Sequence, residues 1–242
     1  MKRPPRISRR KAIATGLASM GALLLPGCSR PTPPNYGNIL RMGDNFTYLA
    51  QRALLPGQSL AREYNFRDIS SMPATGTTNP ATFSEEYDRH LRTSFADWRL
   101  EIEGLVSMPG SYSVNDLQKF SARTQITKHI CEEGWTAIAQ WTGVPLATVL
   151  QSAGIMERAR FVNFHTYDEW IDSIDLMDAF HPQTILAYGM NGKDLSVPHG
   201  APIRVRVERQ IGYKSVKYIK KISVTEEFVD QGDIGWAWYN GI

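Results

Sequence analysis

Cys131 has the most chemistry to offer in this chain, and Glu132 and Glu133 follow it directly. The other cysteine, Cys28, lies in a leader-like segment, so the body of the chain has no pair for an internal disulfide. Two adjacent carboxylates disfavour a thiolate and serve a simple nucleophile poorly, whereas a bound metal ion deprotonates a thiol outright. Cys131 therefore reads as a soft metal ligand. The competing reading is a buried thiol acting as a small apolar filler.

No His/Cys cluster with zinc spacing occurs, nor a Rossmann or P-loop glycine pattern, nor a Cys-x-x-Cys-His haem site. The sequence offers no second electron carrier, so redox chemistry at a metal needs a separate partner, either a cytochrome or a membrane quinone-linked subunit. Arg204 follows Gly200-Ala201-Pro202 on a strand over residues 203–207, with Ile203 and Val205 on the other face. Its planar guanidinium is then placed to hold a phosphate, the alternative being a solvated strand charge. His129 and His165 are candidates for the substrate side of a site, set against ordinary hydrogen-bonded histidines.

Cys131-Glu132-Glu133-Gly134-Trp135 and Trp141-Thr142-Gly143-Val144-Pro145-Leu146 resemble the molybdenum-binding stretch of the sulfite oxidase family of molybdopterin enzymes. The likeness continues in His181-Pro182-Gln183-Thr184, in Ala187-Tyr188-Gly189-Met190-Asn191-Gly192, in His199 to Arg204 and in Gly212-Tyr213-Lys214-Ser215-Val216-Lys217, covering roughly residues 98–226. It implies a molybdenum-molybdopterin cofactor with Cys131 as the metal ligand. It implies cofactor contacts from Thr166, His199, Arg204, Ser215, Val216 and Lys217. Glu133 becomes the proton-donor candidate, because burial beside the metal would favour its acid form; the alternative is a surface carboxylate. An early family loop carries Arg-x-Asn-Gly. Here Pro73 and Thr75 stand in those places, so Thr75 is a cofactor-binding candidate on a loop that otherwise reads as a plain turn.

These residues need elements to hold them. Trp98-Arg99-Leu100-Glu101-Ile102-Glu103 alternates as a strand, and Ser113 to Asp116 caps a short helix carrying Leu117 and Phe120. Residues 145–152 place Leu146, Val149 and Leu150 on one helical face, with Gly154 as the stop. Residues 161–166 read as a strand and Asn191-Gly192 as a hairpin turn. Short strands mixed with short helices, without a βαβ rhythm, give an α+β fold of the sulfite oxidase type. The aromatic stretch at 235–239 reads as packing over the domain edge.

The chain has 242 residues and a formal charge of +3. Lys2, Arg3, Arg6, Arg9, Arg10 and Lys11 precede Cys28 with no acid among them, so the remainder carries +3 − 6 = −3. That balance gives no reason to propose nucleic acid as a partner. A basic start and an apolar run over residues 12–25 read as an export signal to the periplasm. Ser8-Arg9-Arg10-Lys11 resembles a twin-arginine signal, with Ala12 and Ala14 as departures. Leu25-Pro26-Gly27-Cys28 resembles a lipoprotein processing site with Pro26 as the misfit, so Cys28 is either a lipid anchor or discarded by ordinary cleavage. The expected organisation is an export signal at 1–28, a tether and extension at 29–60, and an oxidoreductase domain at 61–242. The expected activity is two-electron oxygen-atom transfer on a small or protein-borne sulfur oxide. The alternative is a lipid-anchored binding protein on the same fold without redox activity.

Overall fold

Capping and alternation account for most of the elements around the expected site. The computed structural model describes residues 38–54 and 59–229. The chain divides into Met1–Arg41 and Met42–Ile242, and the fold is that of the second unit. The export and lipid-attachment motifs, Cys28, the tether at 29–35 and the aromatic stretch at 235–239 lie outside the described residues.

Helix α1 spans Asn38–Leu54 and ends ahead of Pro56, which disfavours a helical residue before it. Helix α2, Glu85–Arg92, starts at Ser84, whose Oγ accepts from the Tyr87 N–H. Acids fill its first turn and bases its last, complementing the helix dipole. Strand β1, Leu100–Gly104, alternates as expected, with Leu100 and Ile102 buried. After β2, Gly110–Tyr112, helix α3 covers Val114–Gln118 and opens on a Ser113/Asp116 capping box. The β3–β4 hairpin, Arg123–Ile130 and Thr136–Pro145, leads into α4, Leu146–Ser152, which buries Leu146, Val149 and Leu150.

Strands β5, Phe161–Thr166, and β6, Ile171–Asp175, form a second hairpin, followed by α5, Leu176–Ala179. Strands β7, Ile185–Met190, and β8, Lys193–Asp194, turn through Asn191 and Gly192, both in the left-handed region at φ 52° and 76°. That is the backbone an Asn-Gly hairpin turn requires. Strand β9 is Arg204–Arg206 and β10 is Ile219–Thr225.

One five-stranded sheet runs β2-β1-β10-β5-β6; the other runs β3-β4-β7-β8 with β9 paired to β7. Only β1 and β10 pair in parallel among the described strands. The larger core gathers Trp98, Leu100, Leu146, Phe164 and Ile222, and a smaller one packs Trp141 against Ile185 and Ala187. The architecture is the α+β fold expected.

The strand over 203–207 departs from expectation. Its arginines do not alternate outward: Arg204, Val205 and Arg206 are all buried. Arg206 lies 4.5 Å from the Trp141 ring centre and forms a two-pronged pair with Glu208, at 3.1 and 2.9 Å, which makes burial of the charge tolerable.

Candidate functional site

The tip of the β3–β4 hairpin, the loop over residues 72–77, the 3-10 turn Val197–His199 and the stretch 212–217 enclose a cleft of about 330 Å³. Cys131, Glu133, Thr75, His199, Arg204, Ser215, Val216 and Lys217 all line it. Thr166 does not. Its hydroxyl donates within the β5–β6 turn, to Asp168 Oδ1 at 2.5 Å and the Trp170 carbonyl at 2.9 Å, and those two residues line the cleft instead. The Thr166 side chain is thus engaged in holding the β5–β6 turn rather than placed on the cleft wall.

Cys131 sits in a closed turn: its N–H donates to the Trp135 carbonyl at 3.0 Å, and the Gly134 N–H returns to the Cys131 carbonyl at 3.1 Å. Gly134 takes φ 91°, a conformation that favours glycine. Burial pushes the Cys131 thiol up, a backbone hydrogen bond at Glu133 pulls it the other way, and Glu132 and Glu133 add to the rise. The free thiol is therefore not a ready nucleophile. Glu133 is exposed, contrary to the burial expected of it, and its carboxylate accepts from the Trp135 indole N–H at 3.1 Å. It faces water because the turn swings residues 132–134 out past the thiol.

The loop over 72–77 is tied down through its backbone. The Ser70 N–H donates to the Ile138 carbonyl at 2.9 Å, anchoring the loop's start to β4. Lys217 Nζ donates to the carbonyls of Thr75 at 2.8 Å, Pro198 at 3.3 Å and Thr77, while the Tyr218 hydroxyl also reaches Thr77 at 2.9 Å. His199 is held by Ser196 Oγ at 3.0 Å and the Met72 carbonyl at 3.3 Å. Ser215 and Val216 are buried against β9, where the Val205 N–H donates to the Val216 carbonyl and the Val207 N–H to Ser215 Oγ.

Arg204 donates to the carbonyls of His199, at 3.1 Å, and Ser215, and its guanidinium lies 5.3 Å from the Trp141 ring centre. Its Nε is buried without a partner. Burial and the neighbouring Arg206 pull Arg204 down to about 9, and burial with Arg204 pulls Lys217 down to about 8. Neither cation forms a carboxylate ion pair among the described residues. Burying a cation without a paired carboxylate is costly; here backbone carbonyls, with the charge of Asp168 acting on Lys217 and that of Glu208 on Arg204, offset part of that cost. His129, donated to by Arg206 at 2.6 Å through Nδ1, is pushed down to about 2 by burial, then Arg206, Arg204 and Lys217, and stays neutral. His165 lies off the cleft, bonded to Ser223 at 2.8 Å.

Sequence reasoning missed Asp168, Trp170 and Tyr213, which line the cleft with Trp135. Tyr213 stood inside a motif already singled out. Asp168 and Trp170 belong to a turn with no distinguishing pattern. Among the described residues no group of three His, Cys, Asp or Glu side chains could hold a metal ion. A metal at Cys131 would thus need most of its ligands from a non-protein group. A lone thiol beside two cations without carboxylate ion pairs among the described residues fits a metal carried by a phosphate-bearing organic ligand, as a molybdopterin is.

The family model described as oxidoreductase molybdopterin binding domain matches residues 88–232. This chain belongs to that family. A chain of Azospira oryzae provisionally named protein-methionine-sulfoxide reductase subunit YedZ1 is 32% identical over 97% of this chain and 88% of its own length. The protein-methionine-sulfoxide reductase catalytic subunit MsrP of Campylobacter jejuni is 28% identical over 76% of this chain and 73% of its own. MsrP of Xanthomonas campestris is 33% identical over 59% of this chain, which spans 48% of that relative's length. The sulfane dehydrogenase SoxCD from Paracoccus pantotrophus shares the fold, with a TM-score of 0.52, 24% identity, and 55% of this chain and 39% of that one covered. The chain is thus an oxidoreductase of a molybdopterin-binding family, a membership that implies the molybdenum-molybdopterin cofactor.

Proposed function

We propose that this oxidoreductase works in the periplasm, holds molybdenum-molybdopterin through Cys131, and reduces an uncharged sulfoxide, free or within a protein. The observation that carries this reading is the division of charge in the cleft. Arg204 and Lys217, neither in a carboxylate ion pair among the described residues, stand on the wall, while Glu132, Glu133 and Asp168 share the rest of the lining with Trp135, Trp170 and Tyr213. A sulfite-like oxyanion would meet carboxylates there, whereas a neutral sulfur oxide can pack on aromatic faces. The names of the relatives support the same substrate class.

When bound, the cofactor supplies two-electron oxygen-atom transfer at a metal that takes one thiolate from the protein. Arg204 and Lys217 hold its phosphate; His199, Ser215, Val216 and the Thr75 segment shape the seat of the pterin. Glu133 takes protons from solvent and passes them to the departing oxygen. Two electrons and two protons turn the sulfoxide into a thioether and water, and the electrons come from a separate subunit, in keeping with the subunit names of the relatives. Anchoring through an acylated Cys28 completes the proposal.

The binding-only alternative rests on the lipobox-like Leu25-Pro26-Gly27-Cys28 together with Pro73 and Thr75 in place of the family's Arg and Asn. That loop meets Lys217 through backbone carbonyls, which are indifferent to the change of side chain. The test is molybdenum content and turnover of methionine sulfoxide with a reduced dye, in the wild type and in Cys131→Ser, with sulfite plus an electron acceptor as the contrast. Stoichiometric molybdenum lost in Cys131→Ser supports the reading. A metal-free wild type, or preference for sulfite, overturns it.

A further inference from the structure

Helix α1 is turned the unusual way round. Amphipathic helices of water-soluble domains bury the apolar stripe and expose the polar one. Here the polar stripe is docked. Tyr48 donates to Asp175 Oδ2 at 2.9 Å, and Arg52 meets Asp178 through both nitrogens at 3.3 and 2.9 Å and Asp175 at 2.9 Å. The Arg52 guanidinium also stacks 5.2 Å from the Tyr48 ring centre. On the opposite face Phe46, Leu49 and Leu54 are 58%, 64% and 78% exposed. With Ala53, also exposed, they stand at i, i+3, i+7 and i+8, a continuous apolar stripe. Leu60, just beyond the helix, is exposed as well.

The ion pairs leave this stripe little freedom to turn inward. Rolling the helix to bury Phe46 and Leu49 would strip Asp178, itself 1% exposed, of its bidentate partner. The stripe is therefore a surface awaiting an apolar medium.

We propose that α1 lies on a lipid bilayer, with Phe46, Leu49 and Leu54 in the boundary between headgroups and acyl chains. The sequence ahead of it says why lipid rather than protein. The apolar run at 12–25 and the lipobox-like Cys28 lead directly to the helix, and residues 29–37 extend to about 30 Å at most. A chain held at a membrane by either feature delivers the start of α1 to the bilayer surface, where an interfacial helix inserts its apolar face. One weak anchor binds a membrane only marginally, and two together bind stably. The helix is the second anchor. It would fix which face of the domain looks toward the membrane, a role that does not depend on the redox assignment.

The test is quenching by lipid. Phe46→Trp places a reporter on the stripe, and Phe83→Trp, at an exposed aromatic position on the turn ahead of α2, is the control. Each full-length variant is mixed with vesicles of phosphatidylethanolamine and phosphatidylglycerol brominated on the acyl chains, and compared with wild type to subtract the native tryptophans. The expected result is at least twofold quenching of the added signal at position 46 and none at 83. Leu49→Asp with Leu54→Asp should abolish it while leaving the melting temperature unchanged, since both side chains are exposed. Equal quenching at 46 and 83 overturns the proposal. So does a position-46 signal shielded from a water-soluble quencher without any lipid, which would place a second copy of the chain or another protein on the stripe.

Discussion

Lys217 Nζ donates to the carbonyl oxygen of Thr75 at 2.8 Å, joining residues 142 positions apart across the mouth of the cleft. One cation thus ties the loop over residues 72–77 and the turn at Pro198 to the same wall of the cleft.

The cofactor-free protein should become more stable between pH 8 and 9. Lys217 is pulled down to about 8 from 10.5 by burial and Arg204, so the unfolded chain binds more protons than the folded one above pH 8. Stability then rises with pH. Above pH 9 the raised Cys131 thiol acts in the opposite sense, since the unfolded thiol ionises first. Melting temperatures across this range should show a larger rise in wild type than in Lys217→Met, where only Arg204, pulled down to about 9, still acts in that sense, and Lys217→Met should also retain less cofactor.

Arg204→Lys keeps a charge but cannot span the carbonyls of His199 and Ser215 together. It should lower the stability of the cofactor-free protein by about 2 kcal/mol, the worth of one hydrogen bond to a charged group, and lower molybdenum content as well. Denaturant titration and metal analysis check the two effects separately. A solvated strand charge would show neither.

Lys214 directly precedes the cleft-lining residues 215–217 with its ammonium fully buried, donating to Asp172 at 2.7 Å and the Ser173 carbonyl at 2.8 Å. Lys214→Met leaves Asp172 buried without its cation and should cost about 3–5 kcal/mol. The double variant Lys214→Met, Asp172→Leu should recover most of that loss. Equilibrium unfolding of the wild type, both single variants and the double variant measures the coupling.

A methyl group at Gly212 would come within 2.6 Å of His129 Nε2 and 3.0 Å of the Ile130 carbonyl. His129 cannot yield freely, being fixed by Arg206 on one edge and packed 5.3 Å from the Trp135 ring centre. Gly212→Ala should destabilise by about 1–3 kcal/mol through overpacking and change the near-ultraviolet circular dichroism of Trp135.

What the sequence determined by itself was local or compositional. Ser113 and Asp116 sit three apart and cap a helix wherever it lies, Leu100 and Ile102 alternate into a core, and Asn191-Gly192 turns a hairpin. The cysteine before two glutamates and the ordered motifs from residue 98 onward were enough to point to the family. The strands β3 and β10 were not legible. In β3 the inward side chains are Gln125, Thr127 and His129, polar residues whose burial follows from partners elsewhere, and in β10 a register shift between Ile219 and Lys221 breaks the alternation. Only the tertiary structure decided that Arg204 is buried, that Glu133 is exposed, and that Thr166 bonds to Asp168 rather than lining the cleft. Hydropathy along a chain reports which face each residue prefers on average. It does not report which carbonyls from distant loops will surround a cation, and that surrounding is what holds Arg204 and Lys217 on the cleft wall.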